Sequence, residues 1–308
     1  MALVGLIARR IRLGSAPEVY RLAFVLSVSG STVLSESERL KELFRWHTQA
    51  IEIGDLTSPQ DFTCVLENCR RFGIRLGIHT PLYAIDDRRG LLWQDSPAWD
   101  ELQRNLETAR REGLAYVLIH FPYVWDKEGN NLGIDQVRQI IPRLKRLERS
   151  SGVPVVCEPK LGPRRDPAAF MMLWSINRQE LLPWDLSFCL DVGDIYLASR
   201  ALRSSYEDML SHLAPWCHVV HLHHVWLGGQ RYFWTPVEQD GSVPILRTLD
   251  ILGGTGSDIF AVIEHTPHRV RDNAQVEDGI NWLLRSSGPW RDREGLPPVY
   301  DGKYRGIR

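Results

Sequence analysis

Six short apolar runs of this chain end in an imidazole or a carboxylate. They are Leu76-Gly-Ile-His79, Tyr116-Val-Leu-Ile-His120, Val153-Pro-Val-Val-Cys-Glu158, Ser187-Phe-Cys-Leu-Asp191, Val219-Val-His221-Leu-His223 and Ile259-Phe-Ala-Val-Ile-Glu264. A buried strand that finishes on an ionisable group carries charge to the rim of a core, which is costly unless a metal, a counter-ion or a reaction uses it. With Arg21 to Val28 and Ala50 to Ile53 added, eight apolar strands alternate with helical patterns. That alternation predicts parallel strands with right-handed crossovers, and eight units suffice to close a barrel.

The expected architecture is therefore α/β, a single (β/α)8 TIM barrel over residues 21–285, with an N-terminal arm at 1–20 and an irregular tail at 286–308. At 308 residues the length suits one such barrel. Several helix starts are explicit. Ser58-Pro59 and Ser96-Pro97 each place an N-cap before proline, and Ser35-Glu-Ser-Glu38 reads as a capping box for a helix carrying Leu40, Leu43, Phe44 and His47. Phe170, Met171 and Trp174, after Asp166-Pro167, are read as core, and Trp226 to Trp234 as a loop.

Charge and cysteine content narrow the partners. A formal net charge of -1 supplies no global argument for nucleic acid or for an acidic membrane surface. The five cysteines form no paired framework, and Cys157, Cys189 and Cys217 read as buried reduced thiols of a cytoplasmic protein. The opening ten residues are apolar then basic, the reverse of a secretory signal, and no segment approaches transmembrane length. Homo-oligomerisation is left open.

Strand alternation tests whether the rim residues converge. If Glu158 faces the barrel axis, Val156 faces in and Cys157 out; if His221 faces in, so does His223, with Leu222 outward. Glu52 points opposite to Ile51 and Ile53. Glu158, Asp191, His221 and Glu264 would then offer one divalent ion three carboxylates and an imidazole, a set suited to Mn, Co, Mg or Zn.

This arrangement, over Arg21 to Leu284, resembles the xylose isomerase-like TIM barrel superfamily, which contains sugar isomerases, ketose epimerases and the endonuclease IV group. Glu158-Pro-Lys160, followed by Pro163-Arg164 and Asp166, is similar to the strand-five segment of xylose isomerases. That resemblance implies a metal-binding Glu158 and a carbonyl-polarising Lys160. His79-Thr-Pro, His120 and Glu264-His-Thr-Pro resemble endonuclease IV, which implies that His79 and His120 hold a second ion with Glu158 or bind substrate. Two features depart from the pattern: Asp194 stands where both branches commonly have His, and the segment 228–240 lacks the Asp-x-His of a third zinc, with Trp234 nearest to its place.

The resemblance implies a metal-dependent isomerase or epimerase acting on a carbohydrate by proton transfer, with Glu158 and Glu264 exchanging the proton and Lys160 steadying the oxyanion. His223, Asp194, Trp125, Trp226 and Trp234 are the expected substrate contacts. The alternatives are an endonuclease IV-like phosphodiesterase and a barrel that binds metal or sugar without turnover.

Overall fold

The structure is a computed structural model describing residues 24–84, 97–124, 133–228, 231–237, 241–255, 258–264 and 273–286, the side chains of 226–234 and 273–275 excepted. The arm at 1–20, Trp125 and the tail at 286–308, apart from its first residue, lie outside it, as do the side chains of Trp226 and Trp234.

Eight parallel strands close into a barrel. They are β1 (Phe24–Ser29), β2 (Ala50–Ile53), β3 (Arg75–His79), β4 (Tyr116–His120), β5 (Val155–Glu158), β6 (Ser187–Asp191), β7 (Cys217–Leu222) and, after the hairpin strands β8 (His224–Gly228) and β9 (Arg231–Thr235), β10 (Ile259–Ile263). Around the barrel the order is β1-β10-β7-β6-β5-β4-β3-β2. Each βα unit thus lies beside the next, and β10 returns to pair with β1.

The alternation of each strand splits its side chains between two cores. Leu26, Ile51, Ile53, Val117, Cys157, Leu190 and Leu222 face outward into the layer beneath the helices. Val25, Ala50, Tyr116, Leu118, Val156, Cys189, Val219, Phe260 and Val262 fill the barrel itself. Val156 is inside and Cys157 outside, as the pleat requires for an inward Glu158.

The helices that cover the outside mostly begin and end where their residues direct. In α1 (Pro59–Phe72) the Ser58 side chain accepts from Asp61 N, proline occupies the first turn, and Gly73 closes the helix at φ 66°. α2 (Ala98–Glu112) buries Trp99, Leu102, Leu106 and Ala109 and ends at Gly113; α3 (Ile134–Ser151) buries Val137, Ile140, Ile141 and Leu144. α4 (Ala168–Ser175), α5 (Arg178–Leu181), α6 (Val192–Leu202), α7 (Tyr206–Leu213), α8 (Ile245–Gly253) and α9 (Asn273–Ser286) follow.

Four expectations need correction. Ser35 caps nothing: it has φ 49° and its Oγ donates to Gly54 O at 2.7 Å, so it ties two rim loops together. The segment behind it is a 3-10 stretch, Leu40–Trp46, in which Trp46 is buried and His47 exposed. Of the three residues expected in the core on α4, Phe170 is buried, beside Leu173, while Met171 and Trp174 are exposed. The segment taken as a loop after β7 is an antiparallel hairpin, with Val225 opposite Trp234 and Leu227 opposite Tyr232. Strand one, finally, runs to Ser29 rather than stopping at Val28.

Candidate metal centre

The rim at the C-terminal ends of the barrel strands receives a ligand-type residue from most of them. Register does the gathering, because residues level with each other on neighbouring parallel strands point to the same side. His120 is level with Glu158, and Asp191 with His221. Glu264 lies one residue past β10, yet its N–H donates to Leu222 O at 3.1 Å, which holds it beside β7. Asp191 is also the N-cap of α6, its Oδ1 accepting from Asp194 N at 2.8 Å.

Four overlapping groups of ligand atoms result among the described residues. Glu158, Asp191 and His221 offer atoms within 4.8 Å of one another, and so do Asp191, His223 and Glu264, His79, His120 and Glu158, and Glu52, His221 and Glu264. His221 Nδ1 is 2.7 Å from Glu264 Oε2 and 3.8 Å from Glu158 Oε1. Glu158 Oε2 is 3.3 Å from His79 Nε2 and 3.4 Å from His120 Nε2. Ligand atoms held about 2.1 Å from a shared ion stand about 3.0–3.4 Å apart. The separations of His79 and His120 from Glu158 fall in that range, whereas His221 and Glu264 stand at a hydrogen-bond distance.

The surroundings agree. Glu158 Oε2 and both ring nitrogens of His221 are buried among other rim groups, with His79 and His120 beside Glu158, and Glu264, Glu52 and the Cys189 thiol beside His221. Crowded carboxylates and imidazoles are the donor types that a divalent ion takes. His79 Nδ1 lies 3.1 Å from Thr80 O and His223 Nδ1 3.3 Å from His224 O. A carbonyl only accepts, so both rings carry hydrogen on Nδ1 and turn Nε2 toward Glu158 and Asp191 respectively. The donor set therefore fits a divalent cation.

Charge accounts for the rest of the rim. Lys160 Nζ donates to Glu158 Oε1 at 2.9 Å and lies 3.4 Å from Asp194 Oδ2. Burial would raise Glu158, but Lys160, His120 and His79 hold it well below the usual carboxylate range. Burial likewise opposes the charge on Lys160, which Asp194 and Glu158 reverse so that its ammonium titrates well above the ordinary value. Asp191, buried but paired with His223 at 3.0 Å, falls to about 2. Asp194 goes the other way, to about 7, because burial and the neighbouring Asp191 and Glu158 outweigh Lys160.

Glu158, Asp191, His221, Glu264, His79, His120, Lys160, Asp194 and His223 are thus brought together. Asp194 turns to Lys160, and His223 is fully buried against Asp191, so neither is placed as an open substrate contact. Glu52 and Tyr116 were not singled out from the sequence. Glu52 Oε1 lies 3.1 Å from His221 Nε2, and Tyr116 donates to Glu52 Oε2 at 2.9 Å. The only signal was that Glu52 alternates with two isoleucines. A cavity of about 220 Å³ opens beside the ligands, lined by Ser29, Ser31, Leu34, Ser35, Gly54, Asp55, His79 and Glu264.

No protein-family model matches the chain, and no curated protein matches it. Solved structures match in fold. They include a D-tagatose 3-epimerase-like protein (14% identity, TM-score 0.60, 85% of this chain and 98% of that one) and an IolI protein with a bound zinc atom (14%, 0.59, 85% and 97%). The 3-keto-D-glucoside 4-epimerase YcjR from E. coli also matches (14%, 0.58, 84% and 98%). At this identity the likeness is one of fold: the chain has the fold of the xylose isomerase-like TIM barrels. Among the described residues no helix is long and apolar enough to cross a membrane.

Proposed function

We propose that this chain is a metal-dependent isomerase or epimerase of a sugar or sugar derivative, working by proton transfer next to a carbonyl. The observation that carries the reading is the convergence of Glu158, Asp191, His221 and Glu264 at one rim, with the Lys160 ammonium beside them. These four residues would hold Mn, Co, Mg or Zn, and the bound ion would draw electron density from substrate oxygens and so acidify the adjacent C–H.

The protein's own groups supply the rest. Glu158, kept ionised by Lys160 and the two histidines, and Glu264, kept ionised by His221, are bases that can remove and return the proton. Lys160 stays charged and so serves as an electrostatic stabiliser of the developing oxyanion, not as a base. His79 and His120, partly exposed at the mouth, orient substrate hydroxyls. Serine hydroxyls and the Asp55 carboxylate line the cavity, with no Lys or Arg among its described lining residues, which favours an uncharged polyol over a phosphate ester. The names of the solved sugar epimerases with this fold point the same way.

Manganese-loaded protein incubated with aldo and keto sugars in heavy water is expected to place deuterium on the carbon next to the carbonyl of at least one of them. A broad panel showing no incorporation would count against the proposal. The His79, His120 and Glu158 group favours a second reading, a two-ion phosphodiesterase of endonuclease IV type. That reading requires cleavage of an abasic duplex, lost on Glu158→Gln.

A further inference from the structure

One charged group lies below the rim and takes no part in this chemistry. Glu52 is 0% exposed, inside the layer formed by Ala50, Tyr116, Val156, Cys189 and Phe260. A carboxylate there is costly unless something uses its charge. Room has been made for its partner: a Cβ on Gly77 would sit 2.3 Å from Tyr116 Cζ, so the glycine lets the phenol swing across to donate to Glu52 Oε2. The other oxygen faces His221 Nε2 at 3.1 Å, and the Cys189 thiol lies against the same ring.

His221 therefore presents its two nitrogens to different surroundings, Nδ1 to Glu264 and Glu158 at the rim and Nε2 to Glu52 beneath it. We infer that Glu52 is the positioning residue of the metal site: its carboxylate takes the Nε2–H of His221, so that Nδ1 keeps its lone pair for the ion and gains basicity from the charge behind it. Carboxylates that stand behind metal-ligating histidines fix tautomer and ring orientation in this way. Tyr116 and Gly77 hold the carboxylate in place. The inference rests on the reading of His221 as an ion ligand.

Glu52→Gln separates charge from shape. The amide still accepts from Nε2–H, and its NH2 can donate to the Tyr116 oxygen, so the frame remains while the charge goes. We expect Mn²⁺ affinity, titrated by electron paramagnetic resonance, to fall about 10–100-fold. The thermal midpoint should fall more with Mn²⁺ present than in chelator, where Glu264 still pairs with His221. Tyr116→Phe, which leaves the carboxylate but takes its donor, should weaken Mn²⁺ in the same direction by a smaller factor, and it serves if Glu52→Gln does not fold. Wild-type affinity in the variants, or an equal loss of midpoint with and without Mn²⁺, would overturn the inference while leaving the metal reading intact. A wild-type protein that takes up no divalent ion would remove both.

Discussion

Among individual residues, the proposed ligands were legible where charge stood at or near the end of an apolar run. Glu158, Asp191, His221 and Glu264 announce themselves in this way, and the structure puts their ligand atoms on one rim. Glu52 lies inside a short strand and ends no run, so only the pleat pointed it inward. Lys160→Met tests the role of the ammonium. Turnover should fall by about 10²–10³, the loss typical of one oxyanion donor, with Mn²⁺ binding retained. A variant with unchanged turnover would leave Lys160 as a neutraliser of Glu158.

The pH dependence follows from His79. Burial lowers its pKa, and Glu158 more than reverses this, raising it from 6.5 to about 9 in the metal-free protein. With the folded value above the unfolded one, the stabilisation is fully present below pH 6.5 and is lost as pH rises through about 9. Protonated His79 competes with an ion for Glu158, 3.3 Å away, so ion binding tightens as pH rises. The gap in thermal midpoint between manganese-loaded and chelator-treated protein should therefore widen from pH 7 to pH 9. A gap that narrows would contradict the coupling.

The secondary-structure elements followed their sequence where local chemistry and tertiary contacts agreed. Ser58-Pro59 and Gly73 bound α1 as read, whereas Ser35 spends its hydroxyl on Gly54 O and leaves a 3-10 stretch instead of a capped helix. Met171 and Trp174 looked like core because α4 is apolar on all sides, and no local pattern distinguishes its exposed face. Met171→Lys should accordingly change stability by less than about 0.5 kcal/mol. Gly77→Ala lies at the other extreme. It forces a methyl against the Tyr116 ring at contacts of 2.3 to 2.8 Å and should cost about 1–3 kcal/mol in denaturant titration, with weaker Mn²⁺ binding besides. A silent alanine there would mean that Tyr116 does not need the space.

For the whole molecule, eight apolar runs separated by helical patterns were enough to foresee a closed parallel barrel, because short right-handed crossovers leave few other arrangements. Closure itself explains the site. Residues far apart in sequence meet because the strand ends share one face, which is where barrels of this kind carry their chemistry. The hairpin β8–β9 was not foreseen: Trp226, Tyr232, Phe233 and Trp234 read as part of a loop, and alternation over so few residues on each side of a turn is a weak signal. The most direct measurement is anomalous scattering at the manganese edge from a crystal soaked in Mn²⁺. We expect one strong peak bonded to Glu158, Asp191, His221 and Glu264 at about 2.0–2.3 Å. A map with no peak among these four residues, at full soaking and neutral pH, would contradict the account.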